Sequence, residues 1–224
     1  KQGKRDLVTS KAILRQLIRA LVYLHRLDIV HRDLKPANVL LLSKDSSRVR
    51  LADFGLATFA AHPEASRRCG TPGYMGPEVL SEGFSKYTDK ADVFALGVLA
   101  YFILDGAAPF AAEDRETVLA LNQAAAIHFG SGFPSRMARS FIRQLCALSV
   151  DERPTAKALL SHTWLVAQSK GGPSGKVVPL SAAAKLAAAR KRAQEMGDEG
   201  SPQLGSTPGC NRNSPRANAA VLDE

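Results

Sequence analysis

Two short strings near the start of the chain constrain its fold more than any other feature: HRDLKPAN at 31–38 and DFG at 53–55. Segments 39–42 and 49–51 between them are apolar, of strand length and joined by a polar turn, which predicts a β-hairpin. Because the open end of a hairpin brings its first and last residues together, the first string ends beside the start of the second. The sequence therefore predicts that polar residues from both strings share one site.

The residue types at this junction indicate which chemistry the site can support. Asn38 and Asp53 present amide and carboxylate oxygens, which are ligands that Mg²⁺ prefers. Asp33 is a carboxylate that can orient a hydroxyl group and accept its proton, and Lys35 is a compact positive charge suited to a phosphate. The alternatives at this point are a loop-capping aspartate at 33 and a surface lysine at 35.

The remainder of the main body of the chain is predominantly helical. A stripe of apolar residues predicts a helix over 10–27, and a short strand over 29–30 leads into the first string. Residues 56–78 are polar, interrupted by Gly and Pro and without periodicity, which predicts a loop. Four further helices are predicted, near 88–104, 113–126, 135–147 and 155–161.

The composition changes after residue 168, which divides the chain into a domain and a tail. We expect residues 1–168 to form one α+β domain, mainly α-helical with short β-hairpins. The tail at 169–224 is basic and rich in Gly, Ser, Pro and Asn, so we expect it to be largely disordered. Its Ala-rich segment 181–196 has good helix propensity and is the one part of the tail where a helix is a candidate.

Charge and cysteine usage argue against several classes of protein. No recognised nucleic-acid motif accompanies the net charge of +9, so we expect no nucleic-acid partner. The most apolar run, 93–104, is shorter than the roughly 20 residues that span a bilayer, so we expect no membrane partner. The cysteines Cys69, Cys146 and Cys210 show no metal-ligand spacing and no disulfide pattern. This usage is typical of a reducing compartment, and we expect a cytoplasmic location, with the nucleus as the alternative.

Further motifs follow the two strings in order: GTPGYMGPE, DVFALG, DERPT and HTWL. Together they resemble the large C-terminal lobe of Ser/Thr protein kinase catalytic domains over about 9–165, most like the calcium/calmodulin-dependent kinase group. Only 30 residues precede His31, and they contain neither G-x-G-x-x-G nor V-A-I-K, the motifs of the small N-terminal lobe. We therefore expect the small lobe to be absent from this chain and the isolated chain to be inactive.

The resemblance implies a role for each polar residue of the predicted site. Asp33 would be the catalytic base, and Lys35 would neutralise the transferring phosphate. Asn38 and Asp53 would hold Mg²⁺ and, with Lys35, contact ATP. Thr71 would hydrogen-bond Asp33 and Lys35, which favours Ser and Thr over Tyr as acceptors.

Seven further residues are implied to be structural. Glu78 would form a buried ion pair with Arg153, Asp92 would bond the backbone of the catalytic loop, and His31 would hydrogen-bond near the backbone of the DFG string. The complete set is His31, Arg32, Phe54, Gly55, Glu78, Asp92 and Arg153.

Arg32 is implied to pair with a phosphorylated residue of the activation loop. The expected acceptor lies two residues before Cys69, and that position holds Arg67. A cation stands where an anion is needed, which leaves Ser66 as the substitute acceptor.

These readings predict an ATP-dependent Ser/Thr protein kinase that transfers the γ-phosphoryl group to protein Ser or Thr hydroxyls, with ATP and Mg²⁺. The alternative is a non-catalytic, kinase-like binding module or scaffold. Segment 178–196 loosely resembles the basic regulatory helix of the calcium/calmodulin-dependent group, so calmodulin is a candidate partner beside the protein substrates.

Overall fold

The computed structural model describes residues 7–42 and 47–167. Within these ranges the fold is α+β and mainly helical, as the sequence predicts. The predicted disordered tail, with its helix at 181–196, lies outside the described residues. The elements are α1 (Leu7–Arg26), β1 (Ile29–Val30), β2 (Val39–Leu41), β3 (Val49–Leu51), β4 (Thr58–Phe59), α2 (Pro77–Leu80), α3 (Asp89–Asp105), α4 (Arg115–Gln123), α5 (Arg136–Leu145), α6 (Ala156–Leu159) and α7 (Thr163–Val166), with short 3-10 helices at Pro36–Asn38 and Pro63–Ser66.

Helix α1 forms because apolar side chains recur every three or four residues along one face. The buried members of this face include Ile13, Leu17 and Leu21. The helix begins three residues before the predicted start and ends one residue before the predicted end. Its Lys11 donates a hydrogen bond to the Ala167 carbonyl at 2.9 Å, which ties the start of the domain to its end.

Helix α3 is apolar around its whole circumference, and every residue from 91 to 104 is buried. A helix of this kind lies inside a domain, and α3 packs between α1 and α5. Gly97 permits the close approach to α5, since a Cβ there would lie 2.5 Å from Cys146 Sγ. The helix ends at Gly106, whose φ of 87° is the left-handed conformation of a C-terminal glycine. None of the helices in the described ranges has the length and apolarity needed to cross a membrane.

The predicted hairpin between the two strings is confirmed. Strands β2 and β3 pair antiparallel, with Val39 opposite Leu51. The hairpin therefore starts directly after Asn38 and ends two residues before Asp53. This register fixes the open end of the hairpin as the place where the two strings meet.

The prediction of a loop over 56–78 is wrong in three places. Strand β4 pairs with β1, a 3-10 helix begins at Pro63 with a side-chain cap from His62, and α2 begins at Pro77. Proline suits the first turn of a helix because that turn needs no backbone donor. Such short elements are set by tertiary pairing and by single capping residues, so they leave no periodic pattern in the sequence.

The four predicted C-terminal helices are present as α3 to α6, with ends that differ by up to three residues. Helix α4 ends at Gln123 because Ala125 adopts a positive φ of 46°, which a right-handed helix cannot contain. The sequence does not predict α7, which is a single turn.

The N-cap of α7 predicts a pH dependence of stability. His162 Nδ1 accepts a hydrogen bond from the Trp164 amide at 3.2 Å, and desolvation lowers the pKa of His162. Because the folded state resists protonation of this group, its stabilising contribution is complete above the unfolded-state pKa of about 6.5 and is lost as the pH falls below that value. We expect the free energy of unfolding, measured by urea denaturation, to decrease in this window.

The matched variant is His162→Asn, which keeps a capping acceptor without a titratable ring. Its unfolding free energy should depend less steeply on pH in the same window. Equal slopes for the two proteins would exclude His162 as the source.

Candidate active site

A cluster of polar side chains surrounds the carboxylate of Asp33, which is only 7% exposed. The Thr71 hydroxyl donates to Asp33 Oδ1 at 2.6 Å, and the Lys35 ammonium lies 2.8 Å from Oδ2. Lys35 also donates to Thr71 Oγ1 at 2.9 Å, which closes a triangle of contacts. Asn38 Nδ2 donates to Asp33 Oδ2 at 3.1 Å and to the Asp33 carbonyl at 2.8 Å. The structure thus brings together the four residues that the sequence predicts as catalytic.

Asn38 and Asp53 lie at the open end of the β2–β3 hairpin, where the Ala52 amide donates to the Asn38 carbonyl at 2.9 Å. The amide nitrogen of Asn38 faces Asp33, so Asn38 Oδ1 points elsewhere and has no donor among the described residues. The Asp53 carboxylate is exposed, and one of its oxygens accepts from the Gly55 amide at 3.2 Å. One amide oxygen and one carboxylate are a suitable protein ligand set for Mg²⁺, which usually takes few protein ligands and keeps waters or phosphates.

The backbone is strained on both sides of this cluster. Arg32 and Asp53 have φ values of 66° and 62°, a region that side-chain-bearing residues seldom occupy without support. At Arg32 the support comes from Asp92 on α3, which is 1% exposed. Its two oxygens accept from the His31 and Arg32 amides, each at 2.9 Å, and one lies 2.9 Å from His25 Nε2. The central helix therefore holds the loop in its strained conformation.

The residues of this cluster all fall within the part of the chain that matches a family model. That model describes the protein kinase domain, and the match covers residues 2–165. The chain belongs to the protein kinase family.

The curated relatives agree with the predicted resemblance to calcium/calmodulin-dependent kinases. The chain is 38% identical over 157 residues to a calcium/calmodulin-dependent protein kinase type 1 of Macrobrachium nipponense, covering 68% of this chain and 45% of that protein. It is 37% identical over 171 residues to a probable myosin light chain kinase of Dictyostelium discoideum, covering 73% and 55%. It is 38% identical over 154 residues to the human calcium/calmodulin-dependent protein kinase type 1B, covering 67% and 44%. The chain thus spans about half the length of the curated relatives it matches.

The DFG string of this kinase domain is attached to the catalytic loop through His31. The ring Nε2 of His31 lies 3.3 Å from the Ala52 carbonyl, next to the string, and the ring meets Phe54 edge-on at 5.1 Å. Phe54 is 46% exposed. A Cβ at Gly55 would lie 3.2 Å from an Asp53 carboxylate oxygen, so the glycine leaves space for that carboxylate.

The Arg32 guanidinium is occupied by backbone carbonyls of the activation segment. It donates to the carbonyl oxygens of Leu56 at 2.6 Å and Glu64 at 2.5 Å, with Arg67 at 3.4 Å. Its charge also lies over the ring of Tyr87 at 5.4 Å. These bonds join the catalytic loop to residues 56–67 of the activation segment.

Position 67 lies in the activation segment and is the one that the resemblance assigns to a phosphate acceptor. Here it holds Arg67, which forms an ion pair within the same segment. Arg67 lies 2.8 Å from the carboxylate of Glu64, three residues earlier. Ser66 is exposed, and its phosphorylation stays a prediction.

Glu78 and Arg153 form the ion pair that the resemblance implies. The Arg153 side chain is fully buried and donates to both Glu78 oxygens, at 2.8 and 2.7 Å. It also donates to the Ala147 carbonyl at 2.8 Å and lies over the Phe94 ring at 5.0 Å. A Cβ at Gly76 would approach the carboxylate of Glu78 closely, so a larger residue there would require this side chain to shift.

Asn122 is a positioning residue that the sequence does not reveal. It is fully buried on α4, its Oδ1 accepts from the Gly73 amide at 3.0 Å, and its Nδ2 donates to the Met75 carbonyl at 2.8 Å. Both bonds fix the segment that follows Thr71. A single asparagine within an amphipathic helix gives no signal of this long-range contact.

Loss of the Asn122 amide should destabilise the domain. In Asn122→Leu, the Gly73 amide and the Met75 carbonyl are stranded in a buried position, at a cost of about 1–3 kcal/mol for each group. Urea denaturation should show the loss. The control is Gln123→Leu, an exposed neighbour on the same helix, and equal stability of the two variants would contradict this role of Asn122.

Proposed function

We propose that this chain forms the large C-terminal lobe, with the catalytic residues, of an ATP-dependent Ser/Thr protein kinase. This kinase transfers the γ-phosphoryl group to protein hydroxyls. The observation that carries the proposal is the closed set of contacts among Asp33, Lys35 and Thr71, with Asn38 bonded to the same carboxylate. Family membership and the names of the Ser/Thr kinase relatives support it.

In the proposed reaction, Asp33 accepts the proton of the acceptor hydroxyl. The hydroxyl oxygen forms a bond to the γ-phosphorus, and the bond from that phosphorus to the β–γ bridging oxygen breaks, which releases ADP. A carboxylate fixed by several hydrogen bonds suits this task, because positioning of the reacting groups and electrostatic stabilisation are nearly all that the protein supplies to this reaction.

Lys35 lies between the proposed base and Thr71, where its ammonium would counter the charge that spreads over the transferring oxygens. Mg²⁺ held by Asn38 Oδ1 and the Asp53 carboxylate would neutralise charge on the phosphate oxygens. The exposed position of Asp53 leaves its carboxylate accessible to a nucleotide. The side chain of Asn38 is fixed by the hydrogen bonds that its Nδ2 donates to Asp33.

Thr71 supports the choice of Ser and Thr as acceptors. Its hydroxyl bridges Asp33 and Lys35. Thr71 belongs to the segment at 69–80, which resembles the peptide-docking loop of kinases, and this segment therefore lies directly beside the proposed base. A short acceptor side chain brings its hydroxyl to the base with the peptide backbone close to this segment, whereas the longer tyrosine would hold the backbone farther away.

The test is phosphoryl transfer by the full-length protein that contains this chain. Purified protein is incubated with γ-labelled ATP, Mg²⁺ and matched peptides that differ only in Ser or Tyr at the acceptor. We expect label in the Ser peptide, loss of label in Asp53→Ala and retention in Glu82→Gln, an exposed carboxylate outside the site. Peptide binding without label under any condition would favour the binding-module alternative.

Calmodulin and the cellular location belong to the same proposal. We propose that segment 178–196, outside the described residues, binds calmodulin, since its composition is basic and relatives are named for calmodulin dependence. Calcium-dependent retention on immobilised calmodulin, lost when the segment is deleted, tests this. The spacing of the cysteines is typical of a reducing compartment, and we propose a location in the cytoplasm, with the nucleus as the alternative.

A further inference from the structure

Helix α5 presents three arginines on one face. Arg136, Arg139 and Arg143 are spaced by three and four residues, so their side chains lie along the same side of the helix. They line a surface depression of about 460 Å³, the arginine pocket, together with Ser140 and Gln144 and the carboxylate of Glu152. These residues are separate from the catalytic cluster.

The guanidinium groups of the arginine pocket lack the carboxylate partner that Arg67 and Arg153 have. No ion pair among the described residues involves Arg136, Arg139 or Arg143. Arg139 donates to the Gly130 carbonyl at 3.1 Å, but its Nε is buried and has no acceptor among the described residues. By contrast, the Arg153 guanidinium is paired with a carboxylate. A buried donor without a protein partner is rare in folded proteins and is usually satisfied by water or by a ligand.

Aromatic rings hold two of these guanidinium groups in place. Arg139 lies over the rings of Phe129 and Phe133, at 6.0 and 5.9 Å, and Arg143 lies over Phe129 at 5.2 Å. The two rings meet edge-on at 4.8 Å. Cations stacked on rings lose less freedom when they bind a ligand, so this part of the pocket is organised in advance.

The charge of the pocket determines the class of ligand. Three guanidinium groups against the single carboxylate of Glu152 leave two positive charges without neutralisation. A phosphate monoester carries close to two negative charges at pH 7 and accepts the paired hydrogen bonds that guanidinium groups donate. The depression is larger than a phosphate group, so residues on either side of a phosphorylated side chain can enter with it.

We propose that the arginine pocket binds a phosphorylated serine or threonine side chain of a partner protein. Arg136 and Arg143 contact the phosphate oxygens, and Arg139 Nε gains its missing acceptor. Ser140 and Gln144 are placed to bond the backbone of the bound segment. Binding at this pocket does not require phosphoryl transfer by the chain, so it can be tested whether or not the proposed function holds.

The experiment measures fluorescence anisotropy of a short peptide library with a central phosphoserine, titrated with the full chain. We expect saturable binding that weakens about tenfold or more in Arg143→Gln and in Arg136→Gln, as expected when a charge-assisted bond is lost. Both side chains are exposed, and unchanged near-ultraviolet circular dichroism verifies that the variants fold. Two controls should bind as the unmodified chain does: Arg19→Gln, an exposed arginine on α1, and Lys35→Gln in the catalytic cluster.

Three results would overturn the proposal. Equal affinity for matched libraries with serine or aspartate at the centre would show that the phosphate is not recognised. Displacement by inorganic phosphate at the same concentration as the peptide would reduce the pocket to an adventitious ion site. Loss of binding in Lys35→Gln, with binding retained in Arg143→Gln, would assign the phosphopeptide to the active site.

Discussion

Removal of the Arg153 guanidinium is expected to lower the free energy of unfolding by about 3–5 kcal/mol, the usual cost of breaking one side of a buried ion pair. In Arg153→Met the Glu78 carboxylate loses both of its donors. The carbonyl of Ala147 loses a donor at the same time. Urea denaturation followed by circular dichroism measures the change.

A double-mutant cycle separates the stranded charge from the lost packing of the arginine stem. Glu78→Leu combined with Arg153→Met replaces the pair by apolar groups, and we expect the double variant to be more stable than the sum of the single effects predicts. Arg19→Met, at an exposed position on α1, is the matched control and should leave stability nearly unchanged. Additive single effects would mean that Glu78 and Arg153 are energetically independent.

Replacement of Asp33 by asparagine is expected to reduce phosphoryl transfer by about 10²- to 10⁴-fold, the range that a positioned acid–base group contributes. Asparagine keeps the size of the side chain and one acceptor oxygen, which can serve Thr71 or Lys35 but not both, and it cannot take the proton. Nucleotide binding, measured separately by calorimetry with Mg²⁺ and ATP, should change little, because Asn38 and Asp53 remain.

Thr71 provides the comparison for this prediction. Thr71→Ser keeps the hydroxyl that donates to Asp33 at 2.6 Å and should retain most of the transfer rate. Thr71→Val removes the hydroxyl with little change in shape and should lower the rate through the orientation of Asp33 and Lys35. Transfer that survives in Asp33→Asn at the rate of the unmodified protein would exclude Asp33 as the base.

The sequence predicts those parts of the molecule that depend on local pattern. The apolar stripe of α1 and the continuous apolar run of α3 are long enough to predict both helices within a few residues. The hairpin is predicted because two apolar strands flank a polar turn, and its register then brings Asn38 and Asp53 to the same end.

The sequence does not predict the contacts between residues that lie far apart along the chain. Strand β4 has two residues and exists because it pairs with β1. Asn122 is far along the chain from the amide and carbonyl it bonds, and no motif surrounds it. The assignment of Arg32 to a phosphate stays a prediction, and the bonds of its guanidinium to three carbonyl oxygens depend on the path of the backbone, which the sequence does not reveal.

The carboxylate of Asp92 links the catalytic loop to the part of the domain that opens last. Since α3 is buried along most of its length, the His31 and Arg32 amides that bond Asp92 are shielded from exchange with solvent until large parts of the fold open together. Asp53 and Phe54 lie at the surface, and the described contacts that hold their string are those of His31 with the Ala52 carbonyl and the Phe54 ring, so we expect this string to change position more readily than the loop while the core stays closed. The proposed base therefore lies beside the part of the fold that we expect to open most slowly, whereas Asp53, one of the two proposed metal ligands, lies in a segment that we expect to move more readily.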